Sequence, residues 1–262
     1  MFKKLHVNYQ NQKLAGSSEP YYSDPVPVDG KIIFKLPPVL ATTGAYQPWN
    51  GYEPPCSLQN PDDCKYVPVQ TANIKVNNIY EGIELSDDSW MRLACDTAHS
   101  SVDGKGGPFG AVILQIDKAT NQIIRYWANH NQVTLTNDPT AHAEVMTIRS
   151  ACRSLGVFNL GEINNKDALL PQPSETSYCV IYSSAEPCPM CYSAICWANI
   201  PILLFAATRF DAAVQGVNFS DEEIYEELAT AYPSRKTKVY QCTTDNSLDA
   251  FNLWKRSNNT AY

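Results

Sequence analysis

Two short segments constrain this chain more than anything else in it: Thr140-Ala141-His142-Ala143-Glu144 and Pro187-Cys188-Pro189-Met190-Cys191. Each falls where a helix is predicted to begin, so two helix N-termini must converge if the histidine and the two thiols are to act together. One imidazole and two thiolates fill three positions of a tetrahedral Zn2+ and leave the fourth for water, the arrangement of a catalytic rather than a structural ion. Zinc lowers the pKa of such a water towards about 7 and so generates hydroxide at neutral pH. The positive ends of both helices favour the anionic forms of the thiols and of the hydroxide. Glu144 follows His142 in the first helical turn, close enough to take a proton from that water. A closed structural site needs a fourth ligand. The nearby thiol Cys196 lies five residues past Cys191 within the same predicted helix and points roughly away.

Around these segments the chain has two textures. Residues 1 to about 80 are punctuated by SSEP, SDPVPVDG, LPPV and GYEPPCSLQNPDD, turn and polyproline signals that interrupt every candidate helix and leave only short extended pieces such as Lys31 to Leu36. This reads as an irregular arm that wraps the rest of the chain or a partner subunit. From about residue 85 helix and strand signals alternate. Ser86, Asp87 and Asp88 start a helix whose buried face is Trp90, Leu93, Ala94 and Ala98. Strands are predicted at Phe109 to Ile116, Gln122 to Ala128, Tyr178 to Tyr182, Ile202 to Ala206 and near Val239. Helices are predicted at Ala141 to Leu155, Cys188 to Ala198, after Ser220-Asp221-Glu222-Glu223 and at Leu248 to Trp254. Strands alternating with helices imply a mixed central sheet in a three-layer α/β/α sandwich. The expected division is an extension over 1–80 and one catalytic domain over 81–262.

Composition narrows the function. A chain of 262 residues, 44% hydrophobic, can bury a full core. Twenty Lys+Arg against 27 Asp+Glu leave a net charge of −7 with no basic block, which argues against a nucleic-acid partner. The start, MFKKLHVNYQNQ, has no apolar run behind its lysines, and no membrane-length apolar span follows, so neither export nor membrane insertion is expected and the cytoplasm is the expected location. Nine cysteines, two of them in C-x-x-C, favour a reducing compartment. Cys95, Cys152, Cys179, Cys196 and Cys242 read as small buried hydrophobes. Cys56 and Cys64, in a polar loop, leave a small-loop disulfide open.

The order H-A-E then P-C-x-x-C is the signature of zinc deaminases, and the chain resembles the cytidine-deaminase-like superfamily and, within it, the bacterial guanine deaminases. The resemblance runs from about residue 85 to the C-terminus and is carried by GGPFGAV (106–112), NDPTAHAEVMTIRSAC (137–152), EPCPMCYSAICWA (186–198), DAAVQG (211–216) and Tyr262. The tRNA adenosine deaminases share the HAE and PC-x-M-C elements but are not expected to match Trp197 or the DAA-x-x-G segment. The resemblance implies conversion of guanine to xanthine, with Glu144 passing the water's proton to the ring nitrogen and then to the departing amine. It implies that Phe109 and Trp197 sandwich the purine and that Asn131 hydrogen-bonds its edge. A second acid is implied at Asp221, with Glu222 open because the spacing to Ile224-Tyr225 is about two residues longer. A homodimer is implied in which the C-terminal tail crosses over and Tyr262 closes the neighbour's site. His130 has no assigned task. The insert at 161–176, GEINNKDALLPQPSET, and the arm are departures that could reshape the pocket mouth, so guanosine or another aminated heterocycle stays open as substrate, with tRNA editing further behind.

Overall fold

The computed structural model describes residues 22–30, 32–36 and 88–260. The centre of the sheet is β2 (Gly110–Asp117), buried at every position, flanked by β3 (Ile123–His130) and β5 (Thr176–Ala185), both antiparallel to it. These near-continuous apolar runs are what strands covered on both faces require. Alternation then sorts the side chains. Val112, Leu114 and Ile116 join Tyr126, Val180 and Tyr182 against Trp90, Leu93 and Ala94 of α1 (Ser89–Asp103). Ile113, Trp127, Cys179 and Ile181 meet Ile148, Ala151 and Leu155 of α3 (Ala143–Leu155) and Ile195 of α4 (Pro189–Trp197). The result is the expected α/β/α arrangement. Burying each of these Leu, Ile and Val side chains contributes about 1.5–3 kcal/mol.

The expected helix start at Ser86–Asp88 settles on Asp88, whose Oδ1 accepts from the backbone N–H of Trp90 (2.7 Å) and Met91 (3.2 Å). α1 crosses β2 so closely that a Cβ on Gly110 would collide with Ala94 O and Ala98 N. β6 (Ile202–Ala207) is parallel to β5, reached through α4, and completes a mixed sheet. The polar stretch after β3 contains a single-turn α2 (Val133–Thr136).

Part of the N-terminal arm lies on the sheet. β1 (Val26–Pro27) pairs antiparallel with Tyr126 and Arg125 of β3, Ile33 bridges Gln122, and Phe34 is buried in the α1-side core. Ser23 N donates to Ser150 Oγ (3.0 Å), while Asn129 Nδ2 donates to both Ser23 Oγ (2.9 Å) and Ser150 Oγ (3.0 Å). The arm therefore closes the open edge of β3. Cys56, Cys64 and Tyr262 lie outside the described residues.

The 161–176 insert begins at Gly161, which abuts Asn199 just beyond α4, and the rest of it is tied to the far end of β5. Its short β4 (Ile163–Asn164) pairs with Ser177 and Thr176 at the start of β5, on the same edge that β6 occupies further along. Gln172, buried, donates to Ile163 O (3.0 Å) and accepts from Gln115 Nε2 (3.1 Å) and Ser177 Oγ (2.7 Å), which ties the insert to that end. At about 3.3 Å per residue, β5 holds it roughly 30 Å from the strand's other end.

Beyond Thr208 no described residue is buried, although α5 (Arg209–Ala213), α6 (Glu222–Ala229) and α7 (Asp249–Arg256) all form. The strand expected near Val239 is absent from this segment: the residues are exposed and no neighbouring strand is there to pair with them. Among the described residues no helix is long and apolar enough to cross a membrane.

Candidate metal centre and active site

The C-terminal end of β5 and the loop after β3 deliver the two signature segments side by side. His142 is the N-cap of α3 and Cys188 the N-cap of α4, both in extended backbone, and neither side chain turns back to cap its own helix. Pro189 at the first position of α4 suits a site where an N–H would go unused. The two side chains point instead at each other and at Cys191. His142 Nδ1 lies 3.6 Å from Cys188 Sγ and 3.4 Å from Cys191 Sγ, and the ligand atoms of all three residues fall within 4.8 Å of one another. A tetrahedral zinc with ordinary Zn–N and Zn–S bonds has N···S edges of about 3.5 Å. The donor set therefore fits zinc, and its chemistry, two soft sulfurs and one imidazole, fits it as well. Cys196 lies outside the set, as its place on α4 implies, but it is exposed, as is Cys242, so neither is the small buried hydrophobe expected from the sequence.

Glu144, one residue into α3, is 5% exposed. Its Oε1 accepts from Ser183 Oγ (3.1 Å) and its Oε2 from Cys191 Sγ (3.3 Å). Burial holds the Glu144 carboxyl above the usual carboxylate range. Hydrogen bonds from Cys191 and His142 pull the Cys188 thiol down to about 4. The same bond to Cys188 raises His142, and sharing its proton with Cys188 raises Cys191; metal binding releases those protons.

Phe109 and Asn131 are brought together just ahead of β2, two residues before Ala111 pairs with Ser183, the donor to Glu144. Asn131 N donates to Phe109 O (2.9 Å), and Asn131 Oδ1 accepts from Val133 N (3.1 Å), which holds the amide in place. A Cβ at Gly107 would press on that amide at 3.1 Å. Asp221, the N-cap of α6, is half-buried; burial raises its carboxyl, Arg209 opposes the shift, and the negative charges of Cys188 and Glu186 add to it. Glu222, the other candidate, is exposed. Trp197 is not gathered in: it ends α4, nine residues beyond Cys188, about 13 Å along the helix axis, and is 65% exposed.

Three contributors escaped the sequence reading. Ser183 had a signal, a polar residue in phase with Cys179 and Ile181 on the α3 face of β5. Phe219 stands 5.1 Å from Phe109, ring centroid to centroid, at 86°. Arg209 lies over the rings of Tyr225 (4.2 Å) and Phe210 (4.7 Å), and its backbone N donates to Glu186 Oε2 (3.0 Å).

Residues 85–207 match the family described as the cytidine and deoxycytidylate deaminase zinc-binding region. With the donor set and Glu144 in place, the chain belongs to this family of zinc-dependent deaminases, hydrolases that act on cyclic amidines. Within it, the chain is 37% identical over 165 residues to the guanine deaminase of Bacillus subtilis, covering 63% of this chain and 88% of that protein. The solved structure of guanine deaminase from Bacillus subtilis superposes with a TM-score of 0.55 at 36% identity, over 68% of this chain and 99% of that one. The tRNA-specific adenosine deaminase of Haemophilus influenzae is more distant, 29% identical over 157 residues, 60% of this chain and 79% of that protein.

Proposed function

We propose that this chain hydrolyses guanine to xanthine and ammonia. The carrying observation is a three-donor metal set with a buried, non-ligating Glu144 beside it, next to the Phe109–Asn131 pair. When bound at His142, Cys188 and Cys191, zinc supplies Lewis acidity that makes water a nucleophile at neutral pH. Glu144 accepts the water's first proton and delivers it to the ring nitrogen. A C–O bond forms at the amino-bearing carbon. Glu144 then takes the remaining proton from the new C–OH group and hands it to the amine; C=O forms as the C–N bond breaks, and ammonia leaves. Asp221, on the Cys188 side, assists that last transfer. Phe109 offers an aromatic surface and Asn131 an amide to the polar edge of the base. The test is turnover of guanine, followed as xanthine and ammonia, against Glu144→Ala; equal rates refute the proposal. Guanosine is the second reading, and its rate relative to guanine decides between them.

The protein acts as a cytoplasmic homodimer that exchanges C-terminal tails, with 81–262 as the catalytic unit and 1–80 as its arm. Support comes from the tail: Leu248, Phe251, Leu253 and Trp254 on and around α7 are exposed, an apolar surface that a second copy would cover. Trp197 and Tyr192 line an open groove of about 490 Å3 on α4, and in this reading Trp197 stacks on the purine held by the neighbouring subunit. Sedimentation of the full chain and of a chain ending at residue 230 tests this; a dimer that survives truncation refutes tail exchange. The net charge of −7 speaks against a nucleic-acid substrate.

A further inference from the structure

The turn that carries Asp221 also carries Phe219. Gly216 (φ 97°) and Asn218 (φ 62°) take the chain through the left-handed region, and Gly216 N donates to Asn218 Oδ1 (3.3 Å). Phe219 N donates to Ala212 O (2.8 Å), which fastens the residue to α5. α5 is anchored in turn, by the reciprocal Thr208–Asp211 capping box and by the bond from Arg209 N to Glu186 Oε2, two residues ahead of Cys188. On the other side Phe109 is held by Asn131. Both rings are thus set by backbone bonds.

Their geometry excludes a slot. A flat base sandwiched between parallel rings needs their centroids about 7 Å apart, two stacking distances of roughly 3.5 Å. At 5.1 Å and 86°, Phe109 and Phe219 touch and form a corner. Where Phe109 presents its edge to the Phe219 face, a base lying flat on Phe109 meets Phe219 along its rim. A hydrocarbon wall there accepts a bare ring edge or a C–H. It rejects a sugar, both by contact and because the hydroxyls facing it would go unpaired.

We propose that Phe219 is a specificity-determining residue of the pocket: it walls one edge of a base laid on Phe109 and so selects free bases over nucleosides. The inference rests on the reading of guanine as substrate. Its test uses the zinc-loaded full chain, Phe219→Ala and Phe219→Leu, each assayed with guanine and guanosine. Phe219 is 47% exposed, so zinc content and melting temperature are expected to stay at wild-type values. Wild type is expected to favour guanine. Phe219→Ala is expected to lower kcat/KM for guanine about tenfold, mainly through KM, and to raise the guanosine-to-guanine ratio at least tenfold, with Phe219→Leu in between. An unchanged ratio in Phe219→Ala, or a wild type that already prefers guanosine, overturns the role of Phe219 while leaving the deaminase intact. A wild type inert towards both overturns the guanine reading and this inference with it.

Discussion

Ser183 Oγ donates a 3.1 Å hydrogen bond to Glu144 Oε1, joining the end of β5 to the first turn of α3 inside the core. The bond leaves Glu144 one carboxylate orientation while its other oxygen serves the centre. Replacing Ser183 by Ala removes that guide and touches no metal donor. The expected outcome is a kcat about tenfold lower with KM and bound zinc unchanged, read by steady-state kinetics and metal analysis.

Glu144→Gln keeps the shape and one acceptor oxygen, which can still face Ser183, and removes the base. The expected loss in kcat is 10²-fold to 10⁴-fold, the usual share of a positioned acid–base group, with zinc retained. A variant that loses its zinc instead would place Glu144 among the ligands.

Thiol chemistry should divide the cysteines by burial. Burial raises Cys95 and Cys152 to about 11, and Cys179 further still, whereas Cys196 and Cys242 are exposed. The thiolate is the reactive form, and a raised pKa means it is scarce until the pH climbs towards that value. Among the described cysteines, alkylation of the native zinc-loaded chain at pH 7.5 is therefore expected at Cys242, and at Cys196 to the extent that a second subunit leaves the α4 groove open. Cys95 and Cys152 gain reactivity only near pH 10 and above. Mass spectrometry of tryptic peptides reads the pattern.

Gly110→Ala drives a methyl into the backbone of α1 at Ala94 O and Ala98 N, atoms that cannot swing away. The expected cost is about 3 kcal/mol, at the upper end for overpacking, seen as a melting temperature lower by roughly 6–12 °C.

Much of the architecture is legible from residue pattern alone, because β2 and β5 are apolar runs and α3 repeats Val145, Ile148, Cys152 and Leu155 at helical spacing. The metal donors are legible for a different reason: one imidazole and two thiols in that order have few other uses. What escaped is what depends on a neighbour. Val239 has the look of a strand, but a strand exists only against another, and none lies beside it. Trp197 follows the donors in the chain, and the rise of α4 sets it apart from them within one chain, so its place at a purine rests on the proposed second subunit. Phe219 reaches Phe109 through the left-handed turn at Gly216 and Asn218, which periodicity does not encode.

The segment at 161–176 is secured through Gln172 at the end of β5 opposite the metal donors, while its Asn165–Asp167 turn faces solvent. Chain length can thus drift there over evolutionary time without selection on catalysis noticing. The same turn is the natural place to graft a purification handle or a fluorescent reporter, since a foreign peptide there is separated from the chemistry by the full length of a buried strand.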